Sequence, residues 1–203
     1  MIYCLMDKKE IDYCKEFEKI FASKIKREGS KELLAWLKST DFFTAPASTR
    51  FHGNFRGGLA EHCVRAYERF VRFCEFEFGV AFVKENAESL AVIALLHDVC
   101  KVDYYTVELR NVKVDGAWVQ KPYYAIEDGL PYGHGEKSVY MVTGFMKLTR
   151  EEAMAINWHM GAFDARAKEN SRTLNQAFEK FPLALVFHMA DIGASYLDEK
   201  KII

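Results

Sequence analysis

At 203 residues, half of them hydrophobic and 14% aromatic, the chain is long enough for one well-filled core and short of two domains at about 150 residues each. Its 28 basic and 29 acidic residues nearly cancel, which removes the field that would draw it to a nucleic-acid backbone or an anionic membrane; a small phosphorylated ligand needs only a local site. Five cysteines (Cys4, Cys14, Cys63, Cys74 and Cys100), odd in number and without a CxxC pair, read as reduced thiols of a cytoplasmic protein, and no apolar run nears the roughly 18 residues of a membrane span.

In chain order, the charges at Asp7, Lys8, Lys9 and Glu10 come too early for a signal peptide. Residues 11–25 place Ile11, Phe17, Ile20, Phe21 and Ile25 at helical spacing, and a short second helix follows around Leu33, Leu34, Trp36 and Leu37. Residues 40–53 read as loop, with Asp41, Pro46, Ser48 and Gly53 as breakers. Gly57-Gly58 opens a long helix over 59–78, and residues 88–101 are so apolar that they read as the buried central helix. Residues 104–126 alternate, carry Tyr, Thr, Val and Trp, and turn at Asp115-Gly116, which predicts a β-hairpin. Pro122 cannot donate to a ladder and makes the second strand an edge, one that another copy of the chain could pair with. Thr149-Arg-Glu-Glu152 is a capping box for a helix to His159 that stops near Gly161, and Pro182 opens a last helix through Leu197. The expected architecture is one domain over 1–203, all-α with one inserted hairpin: N-terminal helices in 1–50, a core in 57–198, the hairpin at 104–126.

Two aspartates stand out. Asp98 ends the most apolar helix and Asp191 interrupts Leu183–Ala190; a carboxylate placed so loses hydration at a cost of several kcal/mol unless a cation or donors compensate. Each follows a histidine closely, which suggests a shared cation, with an Asp bonded to a backbone amide as the alternative. His62, His97, His134 (between two glycines) and His159 complete a set of imidazole and carboxylate donors without thiolate, suited to first-row divalent metals. Six side chains are too many for one tetrahedral ion and suit two adjacent ions with a bridging carboxylate, for which Asp98 is the candidate.

The ordered His62, His97-Asp98 and Asp191 resemble the signature of the HD-domain superfamily of metal-dependent phosphohydrolases. Leu95-Leu-His-Asp-Val-Cys-Lys101 is similar to the usual LLHDxxK form, and the resemblance runs from about Gly57 to Leu197. It implies a helical bundle and metal ligation by His62, His97, Asp98 and Asp191, with His134 and His159 resembling the added ligands of a binuclear subgroup. It also implies one or two divalent transition-metal ions (Mn, Fe, Co, Ni or Zn) and metal-activated water attacking a phosphate ester, such as a nucleotide or a cyclic or oligonucleotide phosphodiester. Asp98 and Lys101 are then the catalytic pair, Lys101 touching the phosphate or leaving group or else simply ending a helix. No Gly-Tyr-Pro follows His159, a departure from the cyclic-dinucleotide phosphodiesterase branch. Weaker substrate-binding candidates are Arg56, Lys137 and His188, the last either orienting a ligand or filling the core. The hairpin aromatics either wall the site or pack as a flap. Two other classes share the pattern: HD-fold di-iron oxygenases, set apart by oxygen consumption, and a non-catalytic nucleotide-binding module. The expected partner is a small phosphorylated molecule, with a nucleic-acid polymer less favoured and no membrane.

Overall fold

The computed structural model describes residues 11–199; Cys4 and the early charges at 7–10 lie outside them. Helix α1 (Tyr13–Lys24) begins where the Asp12 carboxylate accepts the Lys15 N–H at 3.1 Å, and it buries Phe17, Ile20 and Phe21 at i, i+3 and i+4. Helix α2 (Ser30–Ser39) follows, then a loop through residue 57. The long helix α3 spans Gly58–Glu85, beyond the expected end at Phe78. Gly79 takes φ 87°, which kinks the helix, and a further stretch runs to Glu85. The backbone of Gly58 sits against that of Gly53, where a Cβ would meet the Gly53 carbonyl oxygen at 2.0 Å. Glycine at the head of α3 therefore lets the preceding loop fold back onto it.

Helix α4 (Ala87–Leu96) is buried on every side because two clusters grip it. Ala91, Val92, Leu95 and Leu96 pack with α1, α2 and the start of α3; Leu90, Ile93 and Ala94 pack with α9. An all-round apolar helix is the composition such a position demands. The α-helix stops at Leu96, short of the expected Lys101. Asp98 leaves helical geometry (φ −106°, ψ 18°), and Val99–Lys101 form one 3₁₀ turn.

Strands β1 (Tyr105–Val114) and β2 (Ala117–Ile126) pair antiparallel with Tyr105 opposite Ile126 and Val114 opposite Ala117. Asp115 and Gly116, both at positive φ, make the predicted two-residue turn. Helix α5 (His134–Thr143) begins at His134 itself. Helix α6 (Arg150–Asn157) carries both bonds of the Thr149/Glu152 capping box. It ends two residues before His159, which lies in the following turn. The fully buried Glu152 carboxylate also takes a two-pronged pair from Arg27 at 2.7 and 2.8 Å, tying the α1–α2 connection to α6. Helices α7 (Ala165–Glu169) and α8 (Ser171–Lys180) fill a stretch for which the sequence reading had no element; Asp164 and Asn170 cap them. Helix α9 (Pro182–Gly193) starts at proline as expected, and then widens into a π turn over Ala194–Asp198. Nine α-helices and one hairpin, among the described residues, agree with the all-α expectation.

Candidate metal centre

His62, His97, Asp98, His134, His159 and Asp191 converge from five parts of the chain: the second turn of α3, the turn after α4, the start of α5, the turn after α6, and α9. Asp98 is the hub. Its Oδ2 lies 3.4 Å from His97 Nε2, 3.6 Å from His62 Nε2 and 2.6 Å from Lys101 Nζ. Its Oδ1 lies 2.9 Å from His134 Nε2 and 3.6 Å from His159 Nε2. Asp191 Oδ1 completes the first side, 3.1 Å from His62 Nε2 and 3.9 Å from His97 Nε2. One carboxylate thus faces two histidine pairs with its two oxygens.

All four imidazoles turn Nε2 toward the Asp98 carboxylate, and in His62, His97 and His159 the Nδ1 is committed elsewhere. His97 Nδ1 donates to the Ala94 carbonyl at 2.9 Å, and His159 Nδ1 to the Ile156 carbonyl at 2.7 Å. Both acceptors lie three residues upstream, a local bond available because each histidine sits just past a helix end. His62 Nδ1 donates to Glu199 Oε1 at 2.7 Å, whereas Cys100 Sγ lies against both nitrogens of His134, 3.4 Å from Nδ1 and 3.6 Å from Nε2. With the proton on Nδ1, the Nε2 atoms of His62, His97 and His159 are the ones turned toward the space around Asp98 and Asp191.

That arrangement suits cations. His62 Nε2 and His97 Nε2 stand 3.1 Å apart, where two lone pairs repel unless a proton or metal comes between or beside them. His159 Nε2 is buried without a hydrogen-bond partner, a cost that a cation removes. Electrostatics agree. Burial alone pulls His62 down, yet the Glu199 and Asp191 carboxylates push it up to about 10. At His134, whose side chain is partly exposed, desolvation also pulls down, yet Cys100 and Asp98 raise it to about 10. Burial pulls His159 down to about 4, so it stays neutral and ready to donate. Burial raises Asp98 and Asp191, but Lys101 with His97, His134 and His159 outweighs it at Asp98, and His62, His97 and His159 outweigh it at Asp191, holding both well below the usual carboxylate range. Anions that hold protons so firmly on neighbouring imidazoles could hold a metal ion in the protons' place.

The cluster floors a cavity of about 980 Å³, whose walls include the loop 47–52, Tyr104, Tyr105 and Ile126 at the hairpin base, Phe163 after His159, and the end of α9. Tyr105 Oη donates to the Ala47 carbonyl at 3.2 Å, which also accepts Lys101 Nζ at 2.7 Å, so loop, hairpin base and Lys101 form one tie.

A family model described as the HD domain matches residues 59–192, well over half of the chain. The chain belongs to the HD-domain superfamily of metal-dependent phosphohydrolases. No curated protein and no solved structure matches it. The HD pair of this superfamily member is His97-Asp98, and the matched span holds all six converging residues.

The weaker candidates part company. His188 Nδ1 donates to the His159 carbonyl at 2.6 Å, and Gly161 at φ 54° exists to admit that ring, since a Cβ there would lie 2.2 Å from it. Lys137 pairs with Asp128 and covers the Tyr104 ring at 5.0 Å, behind the cavity wall. Arg56 is exposed and is not part of that wall. The outer hairpin (Arg110, Trp118, Lys121) stands in solvent, neither over the cavity nor packed as a flap. Sequence reasoning missed His52, whose ring lies 4.9 Å from His62, and Glu199 and Cys100, which hold two of the imidazoles. Cys100 sat inside the quoted motif, but a lone buried cysteine carries no signal; Glu199 had none short of three-dimensional placement.

Proposed function

We propose that the chain hydrolyses a phosphate ester, a nucleotide or a cyclic or oligonucleotide phosphodiester, at a centre built for two divalent cations. The observation that carries this is the split of Asp98: Oδ2 toward His62, His97 and Asp191, Oδ1 toward His134 and His159. His62, His97, Asp98 and Asp191 would hold one ion, and Asp98, His134 and His159 the other. Cations held there supply Lewis acidity: they acidify bound water and neutralise phosphoryl charge.

The protein's own groups do the remaining work. Buried Nδ1 bonds keep the His62, His97 and His159 imidazoles fixed, so little reorganisation is needed as charge develops. Lys101 spends two of its three hydrogens on Asp98 and the Ala47 carbonyl, leaving one for a phosphoryl oxygen in the cavity it helps to line. His188 fixes the turn that carries His159. Tyr104 and Tyr105, with Lys137 behind the former, offer a flat apolar wall for a base or sugar.

The test is hydrolysis of bis(p-nitrophenyl) phosphate by protein loaded with Mn²⁺ or Zn²⁺ under argon. Turnover that chelator abolishes supports hydrolysis. Turnover unaffected by chelator contradicts it, and a requirement for iron with oxygen uptake would favour the oxygenase class.

A further inference from the structure

His62 differs from His97 and His159 in one physical respect. His97 and His159 lie just past helix ends and borrow a carbonyl three residues upstream, whereas His62 lies inside α3, where the helix ladder already uses the nearby carbonyls. Its Nδ1–H must find an acceptor from elsewhere in the chain. Glu199, 137 residues away, supplies it at 2.7 Å with a side chain only 3% exposed.

The placement of Glu199 is specific. Helix α9 opens into the π turn Ala194–Asp198, an irregularity that costs backbone energy and is kept where a side chain must be re-aimed. Arg69, two turns beyond His62 on the same helix, grips Asp198 with both nitrogens at 2.8 and 2.6 Å. Gly193 leaves room for that arginine, since a Cβ there would lie 2.6 Å from its side chain. The clamp sets the next residue, Glu199, beneath His62. Glu199 Oε2 is buried without a hydrogen-bond partner, so the carboxylate's charge is answered mainly through the imidazole.

We infer that Glu199 is a positioning residue for the cation site, holding His62 with Nδ1–H turned outward and its Nε2 lone pair turned in. It rests on reading the cluster as a metal centre. It does not require any particular ester as substrate. An anionic acceptor fixes ring and tautomer and raises donor strength at Nε2, and loss of such an outer partner weakens metal binding about 10–100-fold.

The experiment compares wild type, Glu199→Ala and Glu199→Gln by Zn²⁺ titration against a competing chelator, with the His62 Nδ1–H proton followed by NMR in metal-free protein. The expected result is a low-field Nδ1–H resonance in wild type that vanishes in Glu199→Ala. Zn²⁺ affinity should fall about ten-fold or more in Glu199→Ala and less in Glu199→Gln, whose amide oxygen still accepts. Arg69→Met, which frees the turn without touching the site, should weaken Zn²⁺ in the same direction. Should Glu199→Ala not fold, Glu199→Gln and the wild-type resonance decide the matter. Glu199→Ala binding within about two-fold of wild type, or an unchanged resonance, overturns the inference. A wild type that shows the resonance but binds no Zn²⁺ overturns it too, and takes the metal-centre reading with it; Zn²⁺ binding without ester turnover defeats only the hydrolase reading.

Discussion

Asp98 shows what one side chain decides here. Buried at 2% exposure, it lies within 3.6 Å of four imidazoles and an ammonium, Oδ2 toward His62, His97 and Lys101 and Oδ1 toward His134 and His159. Asp98→Asn keeps the shape and removes the charge. On the proposed two-cation reading, activity on the test ester should drop by about a thousand-fold or more, because each cation would lose a ligand and Lys101 its anion; activity within ten-fold of wild type would be incompatible with Asp98 as a shared ligand. The six converging residues were legible because ionisable groups in apolar surroundings are costly and need partners. Glu199 was not legible: an acid in a run of charges near the chain's end looks like any solvated one. Away from the centre, Glu152 offers a pH test. Burial raises its carboxyl, but the Arg27 guanidinium and the Thr149 amide outweigh that and set it below its ordinary value. A depressed folded value means the stabilisation is complete above the unfolded pKa, about 4.3, and fades as pH falls through the folded one. Arg27→Met should therefore cost about 3 kcal/mol in urea melts at pH 7 and clearly less at pH 3; an equal deficit at both would show that the pair's charge is irrelevant.

Helix ends, more than helix bodies, build the site. His97 and His159 both lie in turns just past α4 and α6, with the same bond from Nδ1 to the carbonyl three residues back. Periodicity found those helices but ran them through His97 and His159, since a pattern of apolar positions continues into a tight turn unchanged. The Thr149 capping box was visible because capping residues have a local meaning that holds in any fold, whereas the stretch of α3 beyond Gly79 was not expected. Helices α7 and α8 were not, although Asp164 and Asn170 are serviceable caps. Helix α7 is too short to show a period. Gly161→Ala tests one such turn: its Cβ would meet the His188 ring, so His159 should shift and activity fall about ten-fold or more with the fold retained, measured as kcat against thermal midpoint. The hairpin gives the opposite expectation. Only its base reaches the cavity, so replacing residues 111–120 by Asn-Gly, closing the ladder at Arg110 and Lys121, should leave turnover of a small ester within about two-fold. A large loss would give the outer strands a catalytic role.

At the scale of the molecule, two apolar clusters clasp α4 and deliver its end to the middle of the helical assembly, where α3, α5, α6 and α9 bring the remaining groups. The all-α class followed from periodicity alone. The convergence of groups separated by up to 129 positions followed only from the chemical argument that buried acids need a cation. Net charge near zero agrees with a local, metal-built attraction for phosphate in place of a basic surface, and among the described residues no helix is long and apolar enough to cross a membrane. Because ions bind the folded cage and not the unfolded chain, Mn²⁺ or Zn²⁺ should raise the thermal midpoint, and EDTA should reverse the rise. The most direct measurement is a count of ions. Metal-free protein dialysed to equilibrium against Mn²⁺ and analysed by atomic emission should carry about two ions per chain, falling to one or none in Asp98→Ala. A wild type that retains no metal, or an Asp98→Ala variant that retains as much as wild type, would contradict the account.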